Sequence, residues 1–280
     1  MSKKFKWVIG VLVLLVIFVI GYFSFFSSNS SNGSKTIKVG IMTGSKQDQI
    51  IWDSVAKTAK EKYGLKVEYK KFTDYSQPNR ALSQGEINVN AFQHYEFLRQ
   101  YNKASHTNIV PIGKTMIGQG RIYSKKIKHL NDIKDGGTIV IPNDSTNEAR
   151  ALNILQSAGL IKVKKNVEFP TTKDIINNPK NLKIKEVDAS QTVNSLSSVD
   201  AANINGNYAQ SAGLSPNSAI YVEPLNKLSE KWVNIIAANK KDKDNKLNKE
   251  FVKAYQTDKT KRLMKKYYGK SQITAWDVKF

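Results

Sequence analysis

Apolar residues recur along the chain with two periods, and the exchange between them predicts nearly every element after residue 35. Ile37, Val39 and Ile41 alternate with polar neighbours as in a strand, and Gly44-Ser45 turns the chain. Ile51, Val55, Ala59 and Tyr63 then fall four residues apart, a helix over 47–63 that Gly64 ends. Strands follow at 65–72, 87–92, 109–112 and 121–124, with a short helix opening at Pro78 and another from Tyr95 to Tyr101. The centre of the pattern is Thr138 to Gly159, TIVIPNDSTNEARALNILQSAG. A β-branched run stops at Pro142, Asn143-Asp144 turns, and Ser145 with Glu148 has capping-box spacing. Ala149, Ala151, Leu152, Ile154, Leu155 and Ala158 give the helix its apolar side, Arg150, Asn153 and Ser157 its polar side, and Gly159 its stop. Beyond it come strands at 182–187, 201–204, 219–222 and 233–238, short helices at 191–196 and 207–212, and two terminal helices carrying Leu247, Phe251, Tyr255, Leu263 and Tyr267. Asp258 is placed to cap the second of these. Repeated βα units predict an α/β fold with parallel sheets and helices on both faces.

The first 34 residues follow a different pattern. Lys3, Lys4 and Lys6 precede an uncharged run of 20 residues, Trp7 to Phe26, roughly 30 Å of helix and the thickness of a bilayer core. The leading lysines orient such a span with its start in the cytoplasm and the rest of the chain outside. A cleaved signal peptide is the competing reading, since Ser24 and Ser28 could flank a cleavage site, but Phe23, Phe25 and Phe26 crowd it and an uncleaved anchor is preferred. Residues 27–35, SSNSSNGSK, form a flexible polar linker.

Lys+Arg 44 against Asp+Glu 23 gives a net charge of +21, which raises the question of nucleic acid. The lysines are interspersed with acids, as in KKIKHLNDIK and NKKDKDNKLNK, without arginine-aromatic interleaving. That describes a solvated lysine-rich surface and no nucleic-acid partner. With no cysteine, disulfides, thiolate metal sites and thiol catalysis are all excluded for these residues.

Four polar clusters sit at predicted strand ends, where the ligands of α/β sheets bind. They are FTDYSQPN (72–79), NAFQHY (90–95), NDSTNEAR (143–150) and NINGNY (203–208). Amides, aromatics, one histidine and one arginine suit a small zwitterion: arginine for its carboxylate, amide oxygens for its ammonium, rings for an apolar side chain. Each cluster also has a plainer account. Asn-Gly marks turns, and His94 has no ligand spacing to His106 or His129, so no metal or cofactor is expected. Arg150 taken alone fits an ordinary α/β connection better than an anion site at the helix mouth. No G-x-S-x-G, Walker loop, H-E-x-x-H or G-x-G-x-x-G occurs, and no carboxylate pair stands out, so a binding protein is expected and not an enzyme.

Taken together, FTDYSQPNRAL, NAFQHYEFL, IPNDSTNEARALNILQSAGL, NPKNLKIKEVDA and NINGNYAQSAGL resemble the methionine-binding (NlpA-type) substrate-binding lipoproteins of ABC importers, from about Ile37 to the C-terminal helices. The resemblance implies a two-lobed periplasmic-binding-protein fold of the type II, Venus-flytrap kind, here behind one N-terminal transmembrane helix. It implies capture of L-methionine or a close relative, and a permease and an ATPase as partners. Methionine-containing dipeptides, another small amino acid, or an adhesin or scaffold role on the same fold are the alternatives. By motif position, Phe72, Tyr75, Phe92 and His94 would shape the side-chain pocket, Arg150 with Asn147 would hold the carboxylate, and Asn205, flanked by Asn203 and Asn207, the ammonium. Family members are usually tethered by a lipidated cysteine. This sequence has none, so residues 7–26 would anchor the chain at a Gram-positive-like surface, or be cleaved to leave it secreted. The expected organisation is a basic stub (1–6), the span (7–26), the linker (27–35), lobe 1 (36–120 plus 230–280) and lobe 2 (121–229).

Overall fold

The computed structural model describes residues 35–278. The expected stub and span, and all of the linker but Lys35, lie outside them. Among the described residues no helix is long and apolar enough to cross a membrane.

The described residues build two five-stranded sheets and two small two-stranded ones in three passes. The first pass comprises β1 (Lys35–Met42), α1 (Lys46–Tyr63), β2 (Leu65–Phe72), α2 (Gln77–Ser83), β3 (Val89–His94), α3 (Tyr95–Ser105), β4 (Ile109–Lys114) and β5 (Met116–Gly118). The second comprises β6 (Arg121–Tyr123), β7 (Thr138–Pro142), α4 (Ser145–Ser157), β8 (Lys162–Val163), β9 (Ile175–Asn177), β10 (Lys183–Val187), α5 (Thr192–Ser195), β11 (Ala201–Asn203), α6 (Gly206–Ser211) and β12 (Ala219–Val222). The third returns through β13 (Asn234–Asn239), α7 (Lys246–Tyr255), α8 (Asp258–Tyr268) and β14 (Gln272–Thr274). One sheet has the order β2-β1-β3-β13-β4, the other β10-β7-β11-β6-β12.

The sheets are mixed, which corrects the expectation of parallel ones. β1 and β3 are parallel, as are β10, β7 and β11. β13 runs antiparallel to β3 and β4, and β6 antiparallel to β11 and β12. The antiparallel members β6 and β13 are the strands that follow a crossing from one sheet to the other, so no βα unit sets their direction.

Local chemistry explains the elements that frame the site. β7 buries both faces: Ile139 and Ile141 pack on Leu152 and Leu155 of α4, and Val140 packs on Leu196 and Ala202 behind. A run of consecutive apolar residues is what two-sided burial requires. In the other lobe Ile37, Val39 and Leu65 pack against Val55 of α1 and Phe251 of α7. α1 starts in a capping box between Ser45 and Asp48 and ends at Gly64, whose φ of +64° suits a residue without a Cβ.

Two expected caps move by one residue. The Ser145–Glu148 box does not form: Asp144 is the N-cap of α4 and accepts from Asn147 N at 3.1 Å, while the Glu148 carboxylate accepts from Thr172 N. Thr257, not Asp258, caps α8. β3 starts at Val89 and reaches His94, two residues later than the alternation suggested, because Ile87 is buried without joining the ladder. β5 pairs with β14 and β8 with β9, segments too short to show a period.

The chain crosses between sheets twice, and the crossings bond to each other. Gly120 N donates to Glu223 Oε2 and Glu223 N to Gly120 O, each at 2.8 Å; Gln119 Nε2 donates to Glu223 O at 2.9 Å. A Cβ at residue 120 would overlap Ile154 Cδ1 and press on the Glu223 carboxylate, so the close approach needs glycine.

Candidate functional site

A cavity of about 210 Å³ lies between the sheets, far above the roughly 10–15 Å³ that one water needs. Tyr75, Phe92 and His94 line it from one lobe, and Asn147, Arg150, Asn203, Asn205 and Asn207 from the other. Phe72 does not line it. As the last residue of β2 it turns inward and packs with Leu82, Ile87 and Ile235 in the lobe core.

His94 ends β3 and caps α3, its Nδ1 accepting from Phe97 N at 3.0 Å. The proton therefore sits on Nε2, which faces Asn147 Oδ1 at 3.4 Å. Burial, aided by the Arg150 charge, lowers the histidine pKa to about 3 and keeps the ring neutral. Asn147 Oδ1 also accepts from Asn205 Nδ2 at 2.9 Å, while Asn147 Nδ2 donates to both Asp144 oxygens, at 3.0 and 2.9 Å. The side-chain oxygen of Asn205, Oδ1, is left buried without a partner among the described residues. On the facing wall the Tyr75 hydroxyl donates to Asn207 Oδ1, which leaves Asn207 Nδ2 buried and unpaired as well. Among the described residues that line the cavity, Asn205 Oδ1 and Gln272 Oε1 are thus buried acceptors without partners, and Asn207 Nδ2 and Arg121 Nε buried donors; buried polar atoms left so cost about 1–3 kcal/mol each until something pairs them. Asn203 is committed elsewhere, its Nδ2 donating to Arg121 O at 3.2 Å.

The aromatic wall is continuous. Tyr75 stands 6.0 Å from Phe92 and 5.9 Å from Phe97, and Phe92 lies 5.7 Å from Phe97 edge-on. Burial raises the Tyr75 hydroxyl well above its ordinary pKa, so it stays a donor.

Arg150 does not stand free at a helix mouth, which corrects the simplest picture of a helix-terminus anion site. The carboxylate of Asp144 already occupies the first turn. The guanidinium turns instead to Glu223, with Nε 3.2 and 3.3 Å from its oxygens and Nη2 in a further bond to Oε2, while Nη2 also donates to Gly118 O at 2.9 Å. Its side chain is 12% exposed and that of Glu223 13%. Beneath it lies the Trp232 ring, 4.9 Å from Cζ, which also meets the His94 ring edge-on at 5.0 Å. Arg150 Nη1 makes no hydrogen bond among the described residues.

Sequence reasoning missed Asp144, Phe97, Glu223 and Trp232. Asp144 was legible as a rival N-cap to Ser145, and Phe97 as a neighbour of the FQH motif. Glu223 and Trp232 carried no local signal, since each acts across the inter-sheet crossings.

α4 also buries Glu148 beside Glu186, both bonded to Thr172. Burial and the Glu186 charge raise the Glu148 pKa from 4.5 to about 7. The folded chain therefore holds a proton there that the unfolded chain releases, so stability falls as pH rises from about 4.5 through about 7. Glu148→Gln is expected to abolish that dependence. Its melting temperature relative to the parent should climb between pH 5 and pH 8, and a constant difference would show that Glu148 does not titrate in that window.

A family model of NlpA lipoproteins matches residues 37–276. The chain is 43% identical over 244 residues to the D-methionine-binding lipoprotein MetQ of Salmonella typhi, covering 86% of this chain and 88% of that one. It superposes with a TM-score of 0.82 on the substrate-binding protein of a methionine transporter from Streptococcus pneumoniae, 40% identical, over 86% of this chain and 96% of that one. A nutrient-binding protein from Burkholderia cenocepacia, solved bound to methionine, gives a TM-score of 0.81 at 43% identity, over 85% and 99% of the two chains. With two five-stranded sheets joined by paired crossings and these relatives over most of its length, the chain belongs to the NlpA lipoprotein family and has its two-lobed substrate-binding fold.

Proposed function

We propose that the protein captures methionine or a closely related amino acid between its lobes and hands it to the permease and ATPase of an ABC importer. The observation that carries this is the unpaired acceptor Asn205 Oδ1 beside the unpaired donor Asn207 Nδ2 in a cavity walled by aromatics and holding Arg150. An amino acid supplies the missing partners: its ammonium to Asn205 Oδ1, its carboxylate to Arg150 Nη1 and Asn207 Nδ2, its apolar side chain to Tyr75, Phe92, Phe97 and His94. Asn147 acts by holding Asn205. The relatives named above, described as methionine-binding and transporter proteins, support the choice of ligand and of partner.

The lobes in this reading are 36–120 plus 230–280, and 121–229. Residues 7–26 serve as a membrane anchor that keeps the folded part outside the cytoplasm. The family's lipid anchor needs a cysteine and this sequence has none. Nothing in the cavity asks for catalysis: His94 is held neutral by burial and Arg150 is already paired, an arrangement for holding a ligand unchanged.

Native mass spectrometry of the purified chain tests the ligand, and calorimetry with L-methionine tests the contacts. Asn205→Ala should weaken binding by about ten- to a hundredfold, the roughly 1.5–3 kcal/mol of a hydrogen bond to a charged group. A chain that carries no amino acid and is not thermally stabilised by millimolar methionine would refute the reading.

A further inference from the structure

The unpaired acceptor of Asn205 owes its orientation to a residue outside the ring of expected ligand contacts. An asparagine amide can face a ligand with either end, and its neighbours decide which. Asn205 shows its oxygen because its Nδ2 is used on Asn147 Oδ1, and Asn147 shows its oxygen because its own Nδ2 is held by both oxygens of Asp144. His94 Nε2 faces that same Asn147 oxygen. A carboxylate can only accept, so Asn147 cannot turn its oxygen toward Asp144 without setting two acceptors against each other. Asp144 is itself fixed, with Asn147 N and Thr146 Oγ1 donating to Oδ1, each at 3.1 Å.

We propose that Asp144 is the specificity-determining residue of the ammonium subsite: through Asn147 it locks the Asn205 amide with its oxygen toward the ligand, so that the site selects a donor there. This rests on the amino-acid reading above. Three consecutive groups, each with its hydrogen-bond polarity set by the one behind, convert a buried negative charge into a directed acceptor. Arg150 plays no part in that chain, since its hydrogen bonds go to Glu223 and Gly118.

Asp144→Asn is the discriminating variant. Asparagine is as good an N-cap as aspartate, so α4 keeps its start, but an amide at 144 accepts Asn147 in either orientation and the lock is lost. Affinity for L-methionine, followed by displacement calorimetry on the full chain, should fall about tenfold or more. The same substitution is then made with Asn205→Ser. A hydroxyl rotates to accept whatever faces it, so in that background the change at 144 should alter affinity by less than about threefold, a coupling that a double-mutant cycle reads directly. Equal losses in the two backgrounds would overturn the proposal, since Asp144 would then act otherwise than through Asn205. No loss in the parent background would overturn it as well. Asp144→Ser, which caps but cannot hold both ends of the relay, repeats the cycle should Asp144→Asn fold poorly, as urea denaturation of each variant would show. A parent chain that binds no amino acid would instead overturn the amino-acid reading itself.

Discussion

Arg150→Ala is expected to lose stability and ligand together, for separable reasons. The Arg150 and Glu223 side chains are 12% and 13% exposed, so removing the guanidinium strands a largely buried carboxylate. Breaking one side of such a pair costs about 3–5 kcal/mol, mostly because the charge left behind has no partner. Gly118 O also loses its donor. Binding should weaken at least a hundredfold, because the ligand carboxylate loses its cation. Pairing the change with Glu223→Gln separates the two effects. The double variant should regain most of the urea stability, since no buried charge remains, and none of the affinity for L-methionine. Unchanged affinity in Arg150→Ala would take the residue out of the site. Arg150→Lys should fall between, since an ammonium cannot bond Glu223 in two places and Gly118 at once.

The second large effect is expected at a residue that touches no ligand. Trp232 is 5% exposed and packs with Ile117, Val233 and Ala275. Truncation to alanine leaves a cavity worth about 3–5 kcal/mol of stability. Its ring also sets the height of the Arg150 guanidinium and the plane of the His94 imidazole. Without that shelf both groups gain room to move, and a cation over an indole loses about 0.5–2 kcal/mol of attraction. Trp232→Ala should therefore weaken methionine binding about tenfold at a temperature where it is still folded. Trp232→Phe, which keeps an aromatic face, should recover most of that. Affinity untouched by Trp232→Ala would mean that Glu223 and Gly118 O position Arg150 without the ring.

Both predictions involve a residue, Glu223 in the first and Trp232 in the second, that the order of amino acids did not single out. The helix over 47–63 was legible because Ile51, Val55 and Ala59 recur at one period and Gly64 can take a positive φ, all within one stretch of chain. The strand at 138–141 and the helix after it were legible for the same reason, and the motif resemblance brought Tyr75, His94, Arg150 and Asn205 to attention. Phe72 was misplaced because an aromatic at a strand end faces either the core or the cavity, and only the packing of β2 against Leu82 and Ile235 decides. The cap of α4 was misplaced by one residue because Asp144 and Ser145 have similar capping strength, and the need of Asn147 for both Asp144 oxygens breaks the tie.

Periodicity and turn chemistry alone determined the α/β class, most element boundaries to within two residues and the clustering of polar groups at strand ends, because those depend on neighbours three or four positions away. The direction of β6 and β13, the pairing of Arg150 with Glu223 across 73 residues, the Trp232 shelf and the orientation of the Asn205 amide were decided only by the tertiary structure. Each depends on atoms that the fold brings together from distant parts of the chain, and hydrogen-bond polarity at a buried amide has no local signature.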